Sequence, residues 1–263
     1  MDTITSFQNA KVKLVKRLRD KRGREQEGRF VIDDARDLSR ALAQGYAVDY
    51  ALYAPALAQA EDRALLPQIP NAYEVSPELM TKAAYRENPG AWLAVMVSRP
   101  PKSLHELHSV TDSRLLALVN LQKPGNIGAL LRTADATGFR TVLLVDCALD
   151  IYNPNIIRSS TGACFLDSLY TLSTPDALNY FQAEHYQIIA AVVEGDRTLF
   201  QTDFRQKCAV VLGTEDLGLS TAWINAAHQR VRIPMQGHIS DSLNVSVSGA
   251  VFMYEALRQQ EFF

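Results

Sequence analysis

Three polar clusters in the second half of the sequence contain residue types that can hold a ligand and orient a nucleophile. The first runs from Asn120 through Lys123, Gly125 and Asn126 to Arg132, and it mixes amides, glycines and cations between two apolar segments. In an ordinary structural interpretation, Asn126 caps a helix, Gly125 makes the turn and Arg132 is a solvated helix charge. The cluster alone leaves both interpretations open.

The second cluster follows an apolar run that ends on Gly213 and continues with Glu215 and Asp216. A glycine at the end of a strand lets a ligand approach the backbone closely, which favours a binding site. The alternative is structural, because Asp216 or Ser220 can cap a helix that starts near Leu219.

The third cluster follows a segment that stops at Pro234, and it leads into a helix whose first turns carry Ser246, Ser248 and Gly249. Small residues allow another segment to pack unusually close to a helix. The alternative is a tightly packed helix that Asn244 caps.

All three clusters lie where the sequence predicts that an element of an α/β fold gives way to a loop. Ligands bind at the carboxyl ends of strands in open α/β sheets, so this placement favours a single site. Short apolar runs predict the strands, and longer amphipathic runs predict the helices. The predicted strands are 115–119, 141–145, 187–193 and 209–212, and the predicted helices are 127–137 and 245–258.

Residues 6–98 predict a smaller α/β unit that comes before these clusters. Two consecutive prolines at 100–101 resist both helix and central strand, so 99–113 is the expected linker between a domain at 1–98 and a domain at 114–263. In the first domain we expect helices at 6–20, at 34–43 and after Ser76, and extended segments at 29–32, 48–53, 72–75 and 92–97.

The composition indicates a globular protein with more than one core. The chain has 263 residues, of which 47% are hydrophobic and 21% charged. Its apolar stretches stop well short of the roughly 20 residues that a membrane-spanning helix requires. The polar N-terminus lacks the apolar block of a secretory signal, so we expect a cytoplasmic protein without a membrane partner.

Neither the cysteines nor the histidines predict a metal site. Cys147, Cys164 and Cys208 lie far apart and form no Cys-x-x-Cys pair, so we expect buried, reduced thiols. His105 and His108 have ligand-like spacing but no Cys or third His nearby. We therefore expect no metal.

The charge distribution favours a nucleic-acid partner more than the net charge of −2 does. Residues 11–29 contain nine basic and three acidic side chains. This segment is either an RNA-contacting surface that binds phosphates or a solvated helix face. The candidate RNA-binding residues are Lys11, Lys13, Arg17, Arg19, Arg22 and Arg24.

Taken together, the three clusters resemble the three motifs of the SpoU (TrmH) RNA ribose 2'-O-methyltransferases of the SPOUT superfamily. The pattern Asn-x5-Asn-x-Gly-x3-Arg starts at Asn120, and Gly-Thr-Glu-x2-Gly-Leu starts at Gly213. The third pattern, Ile-Pro-Met-x-Gly-x4-Ser-Leu-Asn-Val-Ser-Val-Ser, starts at Ile233. The resemblance covers 115–258, which is over half of the chain.

Two further segments look like elements of this family, and one departs from it. Residues 158–163, Arg-Ser-Ser-Thr-Gly-Ala, resemble an element between the first two motifs, and 8–13 resemble the RNA-substrate domain of ribosomal-RNA-modifying members. Where those members commonly have Glu-Gly after the first strand, this chain has Asp33 and Asp34. That difference concerns the substrate more than the chemistry.

The resemblance implies a fold and a cofactor. The implied fold is α/β, with a SPOUT-type parallel sheet and a deep trefoil knot in the C-terminal domain and a smaller, ribosomal-protein-like α/β domain that binds the RNA substrate. The implied cofactor is S-adenosylmethionine, held in the knot mainly by backbone groups, with no metal. The implied cofactor-binding residues are Leu212, Gly213, Ile233, Met235, Leu243 and Ser246.

The resemblance also assigns catalytic roles. Arg132 matches the catalytic arginine of the family, but a guanidinium with a pKa above about 12 is a poor base at neutral pH. We therefore expect it to grip the neighbouring phosphate and stabilise the developing alkoxide, and the proton acceptor stays open. The residues expected to orient Arg132 and the ribose are Asn126, Glu215, Ser242 and Asn244.

The family implies a homodimer and an RNA substrate, with 23S ribosomal RNA as the first expectation. Val247, Val251, Tyr254 and Leu257 share one face of the last helix, which is either a dimer interface or a core stripe. One alternative function is a catalytically silent RNA-binding or ribosome-assembly protein on the same fold. An ordinary nucleotide-binding enzyme is disfavoured because the sequence has neither a Walker motif nor a dinucleotide fingerprint.

Overall fold

A computed structural model of the chain describes residues 1–108, 110–167, 169–239 and 241–262. Its internal contacts divide the chain into two compact units. Unit 1 comprises Met1–Pro100 and Asp150–Asp167, and unit 2 comprises Pro101–Leu149 and Ser168–Phe263. The inclusion of Asp150–Asp167 in unit 1 has no counterpart in the sequence prediction.

Unit 1 is built on a five-stranded mixed sheet in the order β1-β4-β3-β5-β2. The β1–β4 and β3–β4 pairs are parallel, whereas β3–β5 and β2–β5 are antiparallel. Its elements are β1 (Thr3–Ile4), α1 (Ala10–Arg17), α2 (Lys21–Glu27), β2 (Arg29–Ile32), α3 (Ala35–Ala43), β3 (Val48–Tyr53), α4 (Ala60–Ala64), β4 (Ala72–Val75), α5 (Pro77–Ala83) and β5 (Trp92–Val97).

The predicted helix at 6–20 is wrong in its extent, because α1 ends at Arg17 and α2 starts at Lys21. Arg24 explains the break. Its guanidinium donates hydrogen bonds to the carbonyl oxygens of Leu18 and Arg19, both at 2.7 Å, and so satisfies groups at the end of α1 that a continuous helix would have used. The sequence prediction missed α2 altogether.

Arg24 is buried, which corrects its predicted role in RNA binding. It is 5% exposed, and its Nε lies 2.5 Å from a carboxylate oxygen of Asp150 within the same unit. A guanidinium held by one carboxylate and two backbone carbonyls cannot turn outwards without leaving these partners unpaired. Arg24 is therefore a structural residue.

Unit 2 contains a seven-stranded sheet in the order β10-β12-β9-β11-β6-β7-β8, and its recorded strand pairs are all parallel. Its elements are α6 (Leu104–Leu107), β6 (Arg114–Val119), α7 (Pro124–Thr137), β7 (Thr141–Val145), β8 (Leu169–Leu172), α9 (Thr174–Ala183), β9 (Gln187–Ala191), β10 (Arg197–Thr198), β11 (Cys208–Leu212), α10 (Thr221–Ala226), β12 (Gln229–Arg232) and α11 (Val245–Glu261).

The segment that joins unit 1 from later in the chain contains α8 (Pro154–Ser160) and a short 3-10 helix, Ala163–Phe165. Aromatic packing holds it in place: the Tyr152 ring stacks on Phe30 at 4.1 Å between centroids, and Phe165 lies 5.2 Å from Tyr46. These rings bury apolar surface that the unit 1 sheet would otherwise expose.

Helices α7 and α11 start differently from each other, and the difference matters for the site. Helix α7 begins at Pro124 with Lys123 as its N-cap, so Asn126 lies in the first turn and does not cap the helix. Helix α11 begins after Asn244, whose side chain accepts a hydrogen bond from the backbone N–H of Ser246. The capping interpretation thus fails for Asn126 and holds for Asn244, and Ser220 occupies the N-cap position of α10 without a side-chain capping bond.

Neither a membrane-spanning helix nor a metal-binding cluster is found in the described ranges. Within them, no helix is both long and apolar enough to cross a membrane. The same ranges contain no group of three or more His, Cys, Asp or Glu side chains that could hold a metal ion.

Candidate active site

The carboxyl ends of β6 and β11 lie side by side at the centre of the unit 2 sheet. The two strands are parallel, with Leu118 opposite Leu212, and chain order reverses between them, because β7 and β8 follow on one side and β9 on the other. This point is where open α/β sheets bind ligands. The first cluster leaves β6 through Asn120, which has a φ of 53°, and the second leaves β11 through Gly213.

The three sequence clusters meet at the carboxylate of Glu215. The Asn126 amide from the first cluster donates to its Oε1, and the Asn244 amide from the third donates to the same oxygen at 2.8 Å. Asn244 also donates to Oδ1 of Asn126 at 3.2 Å. The Glu215 side chain is 19% exposed, and its second oxygen pairs with the ammonium of Lys123. A carboxylate with three donors is fixed in orientation.

Asn244 couples this network to the start of α11. Its amide nitrogen donates hydrogen bonds to Glu215 and Asn126. Its Oδ1 accepts from the Ser246 backbone N–H at 3.0 Å and from the Ser246 hydroxyl at 2.6 Å. All the hydrogen-bonding groups of the side chain are therefore engaged, and moving α11 would disturb Glu215.

A cavity of about 590 Å³ opens beside Glu215. This volume falls within the roughly 300 to 1,000 Å³ of ordinary small-molecule sites. It is lined by residues at 191–194, 212–219 and 241–245 and by Ile224, Ile233, Met235, Ser248 and Phe252. Predicted residues that line it are Leu212, Gly213, Glu215, Ile233, Met235, Ser242, Leu243 and Asn244.

Gly213 is required by the backbone at the mouth of the cavity. A Cβ at this position would overlap the backbone carbonyl of Gly218 and come within 2.7 Å of the Leu219 nitrogen. Thr214 and Gly218 form a tight bridge, with backbone hydrogen bonds of 3.0 and 3.1 Å. The loop thus folds back on itself and presents backbone groups to the cavity, which suits a ligand held by main-chain contacts.

Ser246 is not among the residues that line the cavity, and its role in cofactor binding stays a prediction. Its hydroxyl donates a hydrogen bond to Oδ1 of Asn244, and the neighbouring Ser248 lines the cavity.

Arg132 lies on the exposed face of α7, and among the described residues it makes no hydrogen bond or ion pair. The structure therefore does not join Arg132 to the Glu215 network.

Comparison with known proteins decides the family. The model of the SpoU rRNA methylase family matches residues 113–254, and the model of the MRM3-like substrate-binding domain matches residues 9–94. The chain belongs to the SpoU rRNA methylase family. This confirms the resemblance that the three motifs predicted.

Individual relatives agree with the SpoU assignment. An uncharacterised tRNA/rRNA methyltransferase of Synechocystis is 35% identical over 98% of this chain and 94% of its own length. The 23S rRNA (uridine(2479)-2'-O)-methyltransferase of Streptomyces viridochromogenes is 29% identical over 90% of this chain and 85% of its own. The crystal structure of the SpoU methyltransferase AviRb from that organism, in complex with AdoMet, aligns with a TM-score of 0.83 at 28% identity, covering 96% of this chain and 98% of AviRb.

Sequence reasoning missed three parts of this SpoU site. Lys123 was noticed as a cation but not as the partner of Glu215, because the two residues are 92 positions apart. The 191–194 segment, which includes Glu194, lines the cavity because β9 neighbours β11, and that pairing is not visible locally. Ser248 was considered for helix packing only, although its position one turn after Asn244 was the available signal.

The cysteines take no part in the site. Cys164 and Cys208 are buried, and burial raises the pKa of each thiol to about 12. Burial also raises the pKa of Cys147 to about 11. All three are therefore protonated thiols near neutral pH rather than nucleophilic thiolates.

The basic side chains of residues 11–29 in unit 1 fall into two groups: some are exposed, and others contact groups within the unit. Lys13 and Arg22 are exposed, whereas Lys11 lies over the Tyr50 and Tyr73 rings at 4.4 and 4.6 Å. Arg19 is half-buried and donates to the Ala83 carbonyl at 2.8 Å. Arg17, which is largely exposed, pairs with Glu27 at 2.9 Å. The exposed members are the ones available to a phosphate backbone.

Proposed function

We propose that this SpoU protein methylates a ribose 2'-hydroxyl in ribosomal RNA with S-adenosylmethionine as the methyl donor, and that 23S ribosomal RNA is the substrate. One observation carries the proposal: Asn126, Glu215 and Asn244, from three separate motifs, meet beside a ligand-sized cavity at the switch point of a parallel sheet. The Streptomyces relative acts on 23S rRNA, and the AviRb structure holds AdoMet.

The cavity fits the cofactor in its chemistry. Leu212, Ile233, Met235 and Leu243 supply apolar walls for a nucleoside, and the Gly213 loop supplies exposed backbone groups. When bound, S-adenosylmethionine provides an electrophilic methyl group on a sulfonium. The reaction then requires an oriented hydroxyl, removal of its proton and in-line approach, which protein side chains can arrange without a metal.

The residues divide this work between orientation and charge stabilisation. Glu215, fixed by its donors, and Asn244 and Ser242 at the cavity edge hold the ribose in position. Arg132, free of ion pairs with described residues, binds the adjacent RNA phosphate with its guanidinium fork and stabilises the alkoxide as the hydroxyl loses its proton. Asn126 keeps Glu215 aligned with the start of α7.

Unit 1 binds the RNA substrate. This part of the proposal is supported by the substrate-binding family model over residues 9–94 and by the exposed cations Lys13 and Arg22. Arg17 contributes to RNA binding once its guanidinium leaves Glu27 and pairs with a phosphate. Lys11 and Arg19 lie at the edge of this RNA-binding surface. In functional terms we assign 1–98 to substrate binding, 99–113 to the linker and 114–263 to catalysis, except for Asp150–Asp167, which packs within unit 1.

We also infer that the catalytic domain is knotted and that the protein is a cytoplasmic homodimer. The close approach of Gly249 to Leu130 and Leu212 supports a last helix that passes a tight crossing. On α11, Tyr254 is 55% exposed and Val247 is 49% exposed, and with Phe200, which is 72% exposed, they leave an unusually apolar surface. A second copy of the chain would cover it, with Val251 and Leu257 at the centre.

The test compares the ribose methylation of total ribosomal RNA in cells with and without this protein. The proposal predicts one 2'-O-methyl site that disappears with the gene and returns with the wild-type chain, but not with Arg132→Ala. The Arg132→Ala protein should still bind S-adenosylmethionine in a calorimetric titration. If the wild-type chain binds RNA but does not bind S-adenosylmethionine, the alternative of a catalytically silent RNA-binding or assembly protein is favoured.

A further inference from the structure

Tyr85 is an exposed aromatic residue in a unit whose other tyrosines are mostly buried. Its ring is 49% exposed, whereas Tyr46, Tyr50 and Tyr53 are at most 7% exposed. It follows α5 directly, because Ala84 is the C-cap residue of that helix. Tyrosine is enriched at interfaces because it combines an apolar ring with a polar hydroxyl.

The backbone on both sides of Tyr85 is held in place. On one side, the Arg19 guanidinium donates to the carbonyl oxygens of Ala83 and Ala84. On the other, Arg86 pairs with Asp33 at 3.0 Å and with Asp34 at 3.6 Å. The Asp33-Asp34 pair, which departs from the usual family sequence, thus anchors the segment that carries the ring. A ring on a fixed backbone loses little entropy when it binds a ligand.

A guanidinium lies beside the ring. The Arg158 Cζ is 5.4 Å from the Tyr85 ring centroid, and an Arg158 nitrogen donates to the side-chain Oδ1 of Asn155 at 2.5 Å. Arg158 opens the 158–163 segment that resembles a family element and to which the proposed reaction gave no role. The exposed Arg40 donates to the carbonyl of Thr161 at the end of the same helix, so a second guanidinium lies on this helix.

We propose that Tyr85 and Arg158 form a platform on which an unpaired base of the RNA substrate stacks. An aromatic ring and a guanidinium plane both stack on unpaired bases. The inference rests on the proposed function for the identity of the ligand as RNA. It assigns a binding site that is separate from the cavity of unit 2.

Binding of a fluorescent RNA to the full-length protein tests the platform. The probe is a 12-nucleotide single-stranded RNA with one central 2-aminopurine, whose fluorescence falls when it stacks. Wild-type protein and Tyr85→Phe should quench the probe equally. Tyr85→Ala should not quench it and should bind it about tenfold more weakly, with an unchanged salt dependence because no charge is lost. Circular dichroism melts should superimpose for the three proteins, since the ring is exposed.

The outcomes separate this inference from the proposed function. Binding by Tyr85→Ala within twofold of wild type, or no quenching by the wild-type chain, overturns the platform whatever the enzyme does. Tyr85-dependent quenching by a wild-type chain that shows no methyl transfer sustains the platform and overturns the proposed function. With active enzyme, Tyr85→Ala should raise the KM for ribosomal RNA about tenfold and leave kcat unchanged; a fall in kcat alone contradicts a stacking role.

Discussion

Replacing Asn244 by aspartate separates its two roles. The side chain caps α11 through its oxygen, and through its amide nitrogen it donates to Glu215 at 2.8 Å and to Asn126 at 3.2 Å. Asn244→Asp keeps the capping oxygen and the size of the side chain. It removes the amide hydrogens and places a second carboxylate against that of Glu215.

The expected loss follows from these contacts. A hydrogen bond to a charged group contributes roughly 1.5 to 3 kcal/mol, and each 1.4 kcal/mol is about a factor of ten. If Glu215 positions the ribose, Asn244→Asp should lower methyl transfer at pH 8 between about tenfold and a hundredfold. Stability should change less, because the helix cap is retained, so we expect the melting temperature to fall by only a few degrees.

The loss should shrink as the pH falls. Two carboxylates within hydrogen-bond distance cannot both stay ionised easily, so the pKa of one of them rises. Once a proton is taken up, the pair regains a donor between the two side chains and the network closes again. The activity of Asn244→Asp relative to wild type should therefore be higher at pH 6 than at pH 8.

The assay is transfer of labelled methyl groups to ribosomal RNA from cells lacking the protein, measured between pH 6 and pH 8. Asn244→Ser is the matched control, because serine also caps helices but brings no carboxylate, so its deficit should not depend on pH. Wild-type rates from Asn244→Asp, or a deficit that stays constant with pH, would refute the positioning role of the Glu215 network.

Four further outcomes are expected. Gly213→Ala should weaken S-adenosylmethionine binding at least tenfold in calorimetry, because the Cβ would overlap the Gly218 backbone; unchanged affinity contradicts the assigned cavity. Burial raises the pKa of Asp37 from 3.8 to about 6, so between these pH values the carboxyl group ionises in the unfolded chain but stays protonated in the folded chain. The free energy of unfolding should therefore fall by about 3 kcal/mol as the pH rises through this window. Asp37→Asn should therefore stabilise the protein in urea unfolding at pH 7 but not at pH 4, and equal effects at both would contradict this. Tyr254→Asp should shift the protein to monomer in analytical ultracentrifugation, and a persistent dimer would place the interface elsewhere. Lys13→Glu combined with Arg22→Glu should weaken RNA binding and flatten its salt dependence, whereas an unchanged slope would leave these residues as solvated surface.

Local sequence patterns predicted a strand well where the strand is a largely apolar run between turn residues. Five predicted segments begin and end where the structure places them: Arg29–Ile32, Val48–Tyr53, Ala72–Val75, Trp92–Val97 and Thr141–Val145. The weaker elements were missed. Strand β12, for example, has only one fully buried residue, and its partners come from strands distant in sequence. Its position depends on pairing rather than on its own pattern.

The site was predictable through motif order rather than through local structure. The spacing of Asn126, Glu215 and Asn244 identified residues that the fold brings into contact, but it did not predict their hydrogen bonds or the part of Lys123. The opposite error occurred at Arg24, which looked like one more cation in a basic run. Its partner Asp150 lies 126 positions away, and a contact of that kind leaves no mark on the neighbouring sequence.

In the proposed mechanism a carboxylate and an arginine serve one site, and the arrangement of charges is compatible with this because the two groups do not neutralise each other. If Arg132 paired with Glu215, a phosphate would have to break that ion pair before it could bind. Glu215 instead has its oxygens occupied by two amides and the ammonium of Lys123, and among the described residues Arg132 is left unpaired on the outer face of α7. In the proposed mechanism the guanidinium is therefore available to an RNA phosphate, and phosphate binding does not require the Glu215 network to break.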